Sequence, residues 1–152
     1  MNMPSLDQAA FVGVWKLCLS EFRQADGTSV FPLGAEPQGQ IYYDAQGAMA
    51  AQLMRPNRPN LRSGDTSDTA VTHLRAAFDG YTAYFGTYSV NAAARQVIHR
   101  VQGSLLPNWV GQELVRFYEF SADGRVLTLT TPPMGPAAAP VVGRLVWERL
   151  GG

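Results

Sequence analysis

Short runs of alternating residues, punctuated by turn signals, constrain this chain more than any other feature. Asp26-Gly27, the stretch Asp44-Ala45-Gln46-Gly47, Asp79-Gly80 and Asp123-Gly124 each mark a reversal. Between them apolar and polar residues change places with the period of a strand. In 14–22, Trp15, Leu17 and Leu19 share one face and Lys16, Cys18 and Ser20 the other. Further strands are predicted over 40–44, 48–55, 81–90, 96–103, 114–121, 126–131 and 144–150. Residues 28–37, 56–68 and 132–143, rich in Pro, Gly or Asn, read as loops. One helix is predicted over 70–78, where Val71, Leu74 and Phe78 form a stripe and Ser67 or Asp68 can cap the start. Strands and helices do not alternate, which disfavours a parallel sheet and points to an all-β sandwich or barrel. Gly86, Gly103, Ala48 and Ala50, small residues inside strands, favour the barrel.

Composition narrows the function classes. The 152 residues form a single domain, 1–152, with a barrel core over about 11–150. Twelve basic residues balance twelve acidic ones, so there is no excess charge for nucleic acid or a membrane surface. The only lysine is Lys16, and the arginine excess reads as genome composition bias rather than chemistry. Cys18 is the sole cysteine and His73 and His99 the only histidines, which leaves neither a disulfide nor a metal cage as an expectation. No dinucleotide fingerprint, Walker loop or Gly-x-Ser-x-Gly elbow occurs, so no cofactor is expected. No apolar run reaches the roughly 20 residues that span a bilayer. Residues 1–10 carry Asp7 and no basic residue, unlike a signal peptide. The expected location is the cytoplasm.

Several segments, taken in order, carry a resemblance. Gly13-Val14-Trp15-Lys16-Leu17 stands near the start and Leu145-Val146-Trp147-Glu148-Arg149 near the end. Between them lie Gly47-Ala48-Met49-Ala50-Ala51-Gln52, Ala83-Tyr84-Phe85-Gly86-Thr87-Tyr88, the stretch Gly103 to Gly111 with Pro107-Asn108-Trp109, and Leu127-Thr128-Leu129-Thr130-Thr131-Pro132-Pro133. The set resembles the bacterial and fungal lipocalin-like domain family, a calycin-type fold, over roughly 11–150. The resemblance implies an antiparallel up-and-down β-barrel of about eight strands around a cavity. It also implies that Trp15 closes one end and that Arg149 packs across it. It implies no particular reaction.

Polar residues on apolar faces are the site candidates. In 96–103 the less polar face holds Val97, His99 and Val101. In 114–121 the face without carboxylates holds Leu114, Arg116, Tyr118 and Phe120. A symmetric hairpin about 104–111 sets His99 directly across from Arg116. A hairpin about Asp123-Gly124 brings Thr128 and Thr130 near Tyr118 and Arg116. A one-residue slip would turn Arg116 outward instead. A buried guanidinium needs a partner, and no carboxylate lies on these inner faces, which leaves water or a ligand. Tyr42 and Tyr43 point opposite ways, so one looks inward, and Tyr43 is taken as a ligand contact together with Tyr88. Tyr84 shares the face of Tyr88 and reads as packing. Asn108 and Trp109 line the mouth, although a loop anchor is an equal reading of Trp109. Glu21, in step with Trp15, reaches the cavity rim. His73 reads as surface or lid packing.

Three functions compete. The preferred one is binding of a small, mainly hydrophobic molecule whose carboxylate or carbonyl meets Arg116. The alternative is a cofactor-independent isomerase, cyclase or hydratase acting on a small hydrophobic substrate in the same cavity, with His99 as acid or base and Arg116 holding an oxyanion. The third is an interaction protein with a filled interior, whose outer face or loops form a homodimer. Whether the chain is an enzyme is left open by the sequence.

Overall fold

The computed structural model describes residues 6–62, 64 and 67–151. Residues 63, 65 and 66 of the predicted 56–68 loop, and residues 1–5 and 152 at the ends of the predicted domain, lie outside the described residues. Nine antiparallel strands form one sheet. They are β1 (Gly13–Arg23), β2 (Ser29–Val30), β3 (Gln38–Tyr43), β4 (Ala48–Met54), β5 (Tyr81–Asn91), β6 (Gln96–Ser104), β7 (Glu113–Phe120), β8 (Val126–Thr130) and β9 (Val142–Arg149). β3 to β9 follow one another in sequence order, β1 pairs with both β3 and β9, and the sheet closes on itself. The two-residue β2 is an extra rung on β1. The result is an up-and-down barrel of eight strands, with no open edge in its wall.

One end is plugged by aromatic residues. A short helix α1 (Leu6–Phe11), absent from the sequence reading, carries Phe11 under the barrel. The Phe11 ring packs edge-on against Tyr118 and Phe120, each at 4.9 Å, and Tyr43 at 5.2 Å. Edge-to-face pairs of this kind add about 0.5–1.5 kcal/mol each beyond burial. Trp15 Nε1 donates to Phe11 O at 2.9 Å. Arg149 stands opposite Trp15 in the ladder, with its guanidinium carbon 4.1 Å from the centroid of the Trp15 ring. The guanidinium donates to Ala10 O at 2.6 Å and Val12 O at 2.7 Å.

Two extra residues offset the alternation. Cys18 is unpaired between Leu17, opposite Trp147, and Leu19, opposite Val146. Leu19 therefore leaves the face of Trp15 and Leu17. Ser20 stands opposite Leu145 and Glu21 opposite Arg144. On β6, Gln102 is unpaired between Val101, opposite Gly86, and Gly103, opposite Phe85. At that bulge the strands approach so closely that a Cβ on Gly86 would lie 1.8 Å from Arg100 O, which is why glycine stands there.

The second helix, α2 (Asp68–Asp79), is capped by Ser67, whose side chain accepts from Ala70 N. Its predicted stripe is not its buried face. Val71, Leu74 and Phe78 are 60%, 55% and 45% exposed, and Ala70 is the residue it buries. The helix joins the barrel through its C-terminal end, where Gly80 O accepts from Arg55 N at 2.7 Å.

Candidate functional site

The barrel holds a cavity of about 330 Å³ at the end away from Trp15 and Arg149. Phe22 at the end of β1, Thr82 at the start of β5 and Gly143 at the start of β9 border it, together with Asp79 of α2. Antiparallel strands bring those termini to one rim. The floor and walls are apolar, with Leu33, Ile41, Leu53, Leu129, Leu145 and Trp147 among them. The interior at this end is thus not filled by side chains.

Polar side chains interrupt the apolar lining: His99, Arg116 and Tyr84, and also Ser20, Glu21, Asp79, Thr82, Thr131 and Arg144. β6 alternates so that Val97, His99 and Val101 face inward, and all three are buried. Arg116 of β7 is on the same side, and so is Tyr84 of β5. His99 and Arg116 are not directly opposite, because the β6–β7 ladder pairs Arg116 with Val97 and His99 with Leu114. The reversal is centred one residue earlier than symmetry about 104–111 implies, because pairing with β7 ends at Val101 and the connection takes its extra residues, 102–104, from the β6 side. A 3-10 turn, Pro107–Trp109, precedes Gly111, and Val101 both donates to Gln112 O and accepts from Gly111 N.

His99 is gripped at both ring nitrogens. Tyr43 Oη lies 2.6 Å from Nε2, and Tyr84 Oη lies 2.8 Å from Nδ1. Burial, and then the charge of Arg116, pushes the His99 pKa down to about 3, so the ring is neutral at physiological pH. Burial raises the Tyr84 pKa to about 12 and that of Tyr43 well above the usual phenol value. Both hydroxyls keep their protons. The Arg116 guanidinium donates to Val115 O at 2.9 Å, and among the described residues no carboxylate pairs with it. Glu21 borders the cavity but is engaged by Arg23 at 3.3 Å and Arg144 at 3.4 Å. Trp109 also lines the cavity, edge-on to Tyr84 with centroids 5.7 Å apart.

Of the sequence candidates, His99, Arg116 and Trp109 meet at the cavity, and Tyr43 stands behind His99. Four others sit elsewhere. Tyr88 is buried at the plugged end and donates to Asp44 O at 2.5 Å. Tyr118 packs on Phe11 and donates to Asp7 Oδ2 at 2.6 Å. Asn108 is exposed on the 3-10 turn. Thr130 stands opposite Phe117 and Thr128 opposite Glu119. Both threonines thus share the outward face of β7, while Leu127 and Leu129 take the inner one. The hairpin is symmetric about Asp123-Gly124, as expected of that turn, but this symmetry sets the threonines opposite Glu119 and Phe117, one residue from the expected Tyr118 and Arg116, and one residue is enough to flip a face.

Tyr84, Ser20, Thr131 and Trp147 also line the cavity and were not among the predicted ligand contacts. The parity of Tyr84 with Gly86 and Tyr88 was the available signal. Ser20 was hidden by the unpaired Cys18.

The lipocalin-like domain family matches residues 12–150. The chain belongs to that family. A 4'-hydroxy-3'-methoxypropiophenone carrier protein of Aspergillus oryzae is 31% identical over 109 residues, covering 67% of this chain and 96% of that protein. No solved structure matches the chain. Barrel and family agree on a container for a small molecule. Among the described residues no helix is long and apolar enough to cross a membrane.

Proposed function

We propose that this lipocalin-like barrel carries a small, mainly apolar molecule, built on one aromatic ring and bearing a carbonyl or carboxylate. The observation that carries this reading is Arg116, a half-buried guanidinium lining an apolar cavity with no carboxylate partner among the described residues. Such a group calls for a ligand acceptor or water. A volume of about 330 Å³ lies at the small end of the ~300–1,000 Å³ typical of ligand pockets, which suits a one-ring compound. The name of the Aspergillus oryzae relative, a carrier of an aryl ketone, supports the same chemical class.

The enzymatic alternative needs a group that exchanges protons near neutral pH. His99 has both nitrogens engaged and a pKa near 3, so it serves better as a fixed support than as a base. Calorimetric titration with 4'-hydroxy-3'-methoxypropiophenone tests the proposal. Saturable one-to-one binding that weakens in Arg116→Met is expected. Absence of binding at millimolar ligand would overturn it.

A further inference from the structure

The Tyr43–His99–Tyr84 chain has a direction, and hydrogen-bond accounting fixes it. A neutral imidazole carries one N–H donor and one acceptor nitrogen. Of the two tyrosines on His99, therefore, one donates to the ring and the other accepts from it. Tyr43 is only 2% exposed. Among the described residues its hydroxyl has no hydrogen-bond partner other than His99 Nε2. If Nε2 carried the proton, the hydrogen of Tyr43 would be stranded in the core, an arrangement that folded proteins avoid. Tyr43 therefore donates to Nε2, and the His99 proton sits on Nδ1. That N–H donates to Tyr84 Oη, whose own hydrogen is then left for the cavity that Tyr84 lines.

We propose that Tyr84 is an obligate hydrogen-bond donor of the cavity, held in that role by the Nδ1–H tautomer of His99 and, through it, by Tyr43. The site then selects a ligand that presents an acceptor oxygen at this wall, a conjugated carbonyl above all, with Arg116 as the neighbouring cation. A ligand hydroxyl that must donate meets a weaker acceptor in Tyr84, whose oxygen already receives the His99 proton. Tyr43 and His99 act as positioning residues and need not touch the ligand. This inference rests on the carrier reading for its ligand, but the direction of the chain belongs to the protein alone.

Two measurements separate these. The first is long-range proton–nitrogen NMR of nitrogen-labelled, ligand-free protein. Nδ1 of His99 should be protonated and Nε2 bare, and Tyr43→Phe should abolish that preference. Protonation at Nε2 in the wild type would overturn the proposal whether or not any ligand binds. The second uses acetophenone labelled at its carbonyl carbon. Its carbonyl stretch should move to lower frequency on binding, and Tyr84→Phe should lose most of that shift and bind roughly three- to tenfold more weakly. Binding with an equal shift in Tyr84→Phe would reject the donor role while leaving the carrier reading standing. Failure of acetophenone to bind wild type would count against the carrier reading, and the NMR result would still decide the direction of the chain.

Discussion

Arg149 covers the ring of Trp15, 4.1 Å from its centroid, and reaches past it to the carbonyls of Ala10 and Val12. Gly13 is what lets it through. A Cβ at Gly13 would lie 2.7 Å from Arg149 Nη1, and φ there is +135°. Gly13→Ala should therefore cost about 1–3 kcal/mol through backbone strain alone, and more where Arg149 is displaced. Thermal melts of Gly13→Ala, Arg149→Ala and the double variant check this. The two losses should be less than additive if they share one contact.

Trp15 itself is fully buried at the plugged end. Trp15→Ala should cost about 3–5 kcal/mol, the range for truncating a buried aromatic. Urea unfolding with a midpoint near that of the wild type would show that Trp15 does not hold the barrel end.

Stability should fall on the acid side because of His99. Its folded pKa is pushed down to about 3, whereas a free imidazole titrates at about 6.5. Between those values the unfolded chain binds a proton that the folded one refuses. The contribution is thus complete above about pH 6.5 and is lost progressively as pH drops toward 3. His99→Gln should show a flatter stability profile over that window, the difference approaching about 1.4 kcal/mol per pH unit. Parallel profiles for the two proteins would contradict the assignment.

Arg116→Met should leave the barrel as stable as the wild type or more so, since it replaces a half-buried cation that lacks an ion-pair partner among the described residues by an apolar chain of similar length. Ligand affinity should move the other way. A large loss of stability, measured by denaturant titration, would mean that Arg116 holds the fold rather than the ligand.

The exposed stripe of α2 should be dispensable for folding. Val71→Gln, Leu74→Gln and Phe78→Gln should each change stability by no more than about 0.5 kcal/mol, as surface substitutions do. A drop of several degrees in melting temperature for any one of them would place that side chain against the barrel.

Strand positions were legible because alternation and Asp-Gly turns are local signals, and the eight barrel strands start and stop within two residues of the expected bounds, whereas the two-residue β2 falls in 28–37, which was expected to be a loop. The faces were legible only where the ladder is regular. Val97 and His99 fell inward as expected. Leu19 and Ser20 did not follow the alternation from Trp15, because one unpaired residue, Cys18, resets the count and leaves no mark in the sequence, while Glu21 borders the cavity as expected. Tyr118 and Tyr88 did point inward, but toward the plugged end, and depth along a barrel axis is not encoded by parity. Nor could the stripe of α2 reveal that its helix meets the barrel end-on.

The pairing of β1 with β9 has a consequence for how the barrel is made. Cys18 and Glu148, near neighbours across that seam, are 130 positions apart. The seam therefore has to wait for nearly the whole chain, whereas every rung from β3 to β9 closes between consecutive strands. Topologies with such distant pairings fold slowly. During synthesis β1 would spend that interval with its inner face, including Trp15 and Leu17, and its seam edge uncovered. Removal of β9 should trap the chain in that state. A fragment ending at residue 131 is expected to aggregate rather than to fold as a smaller sheet.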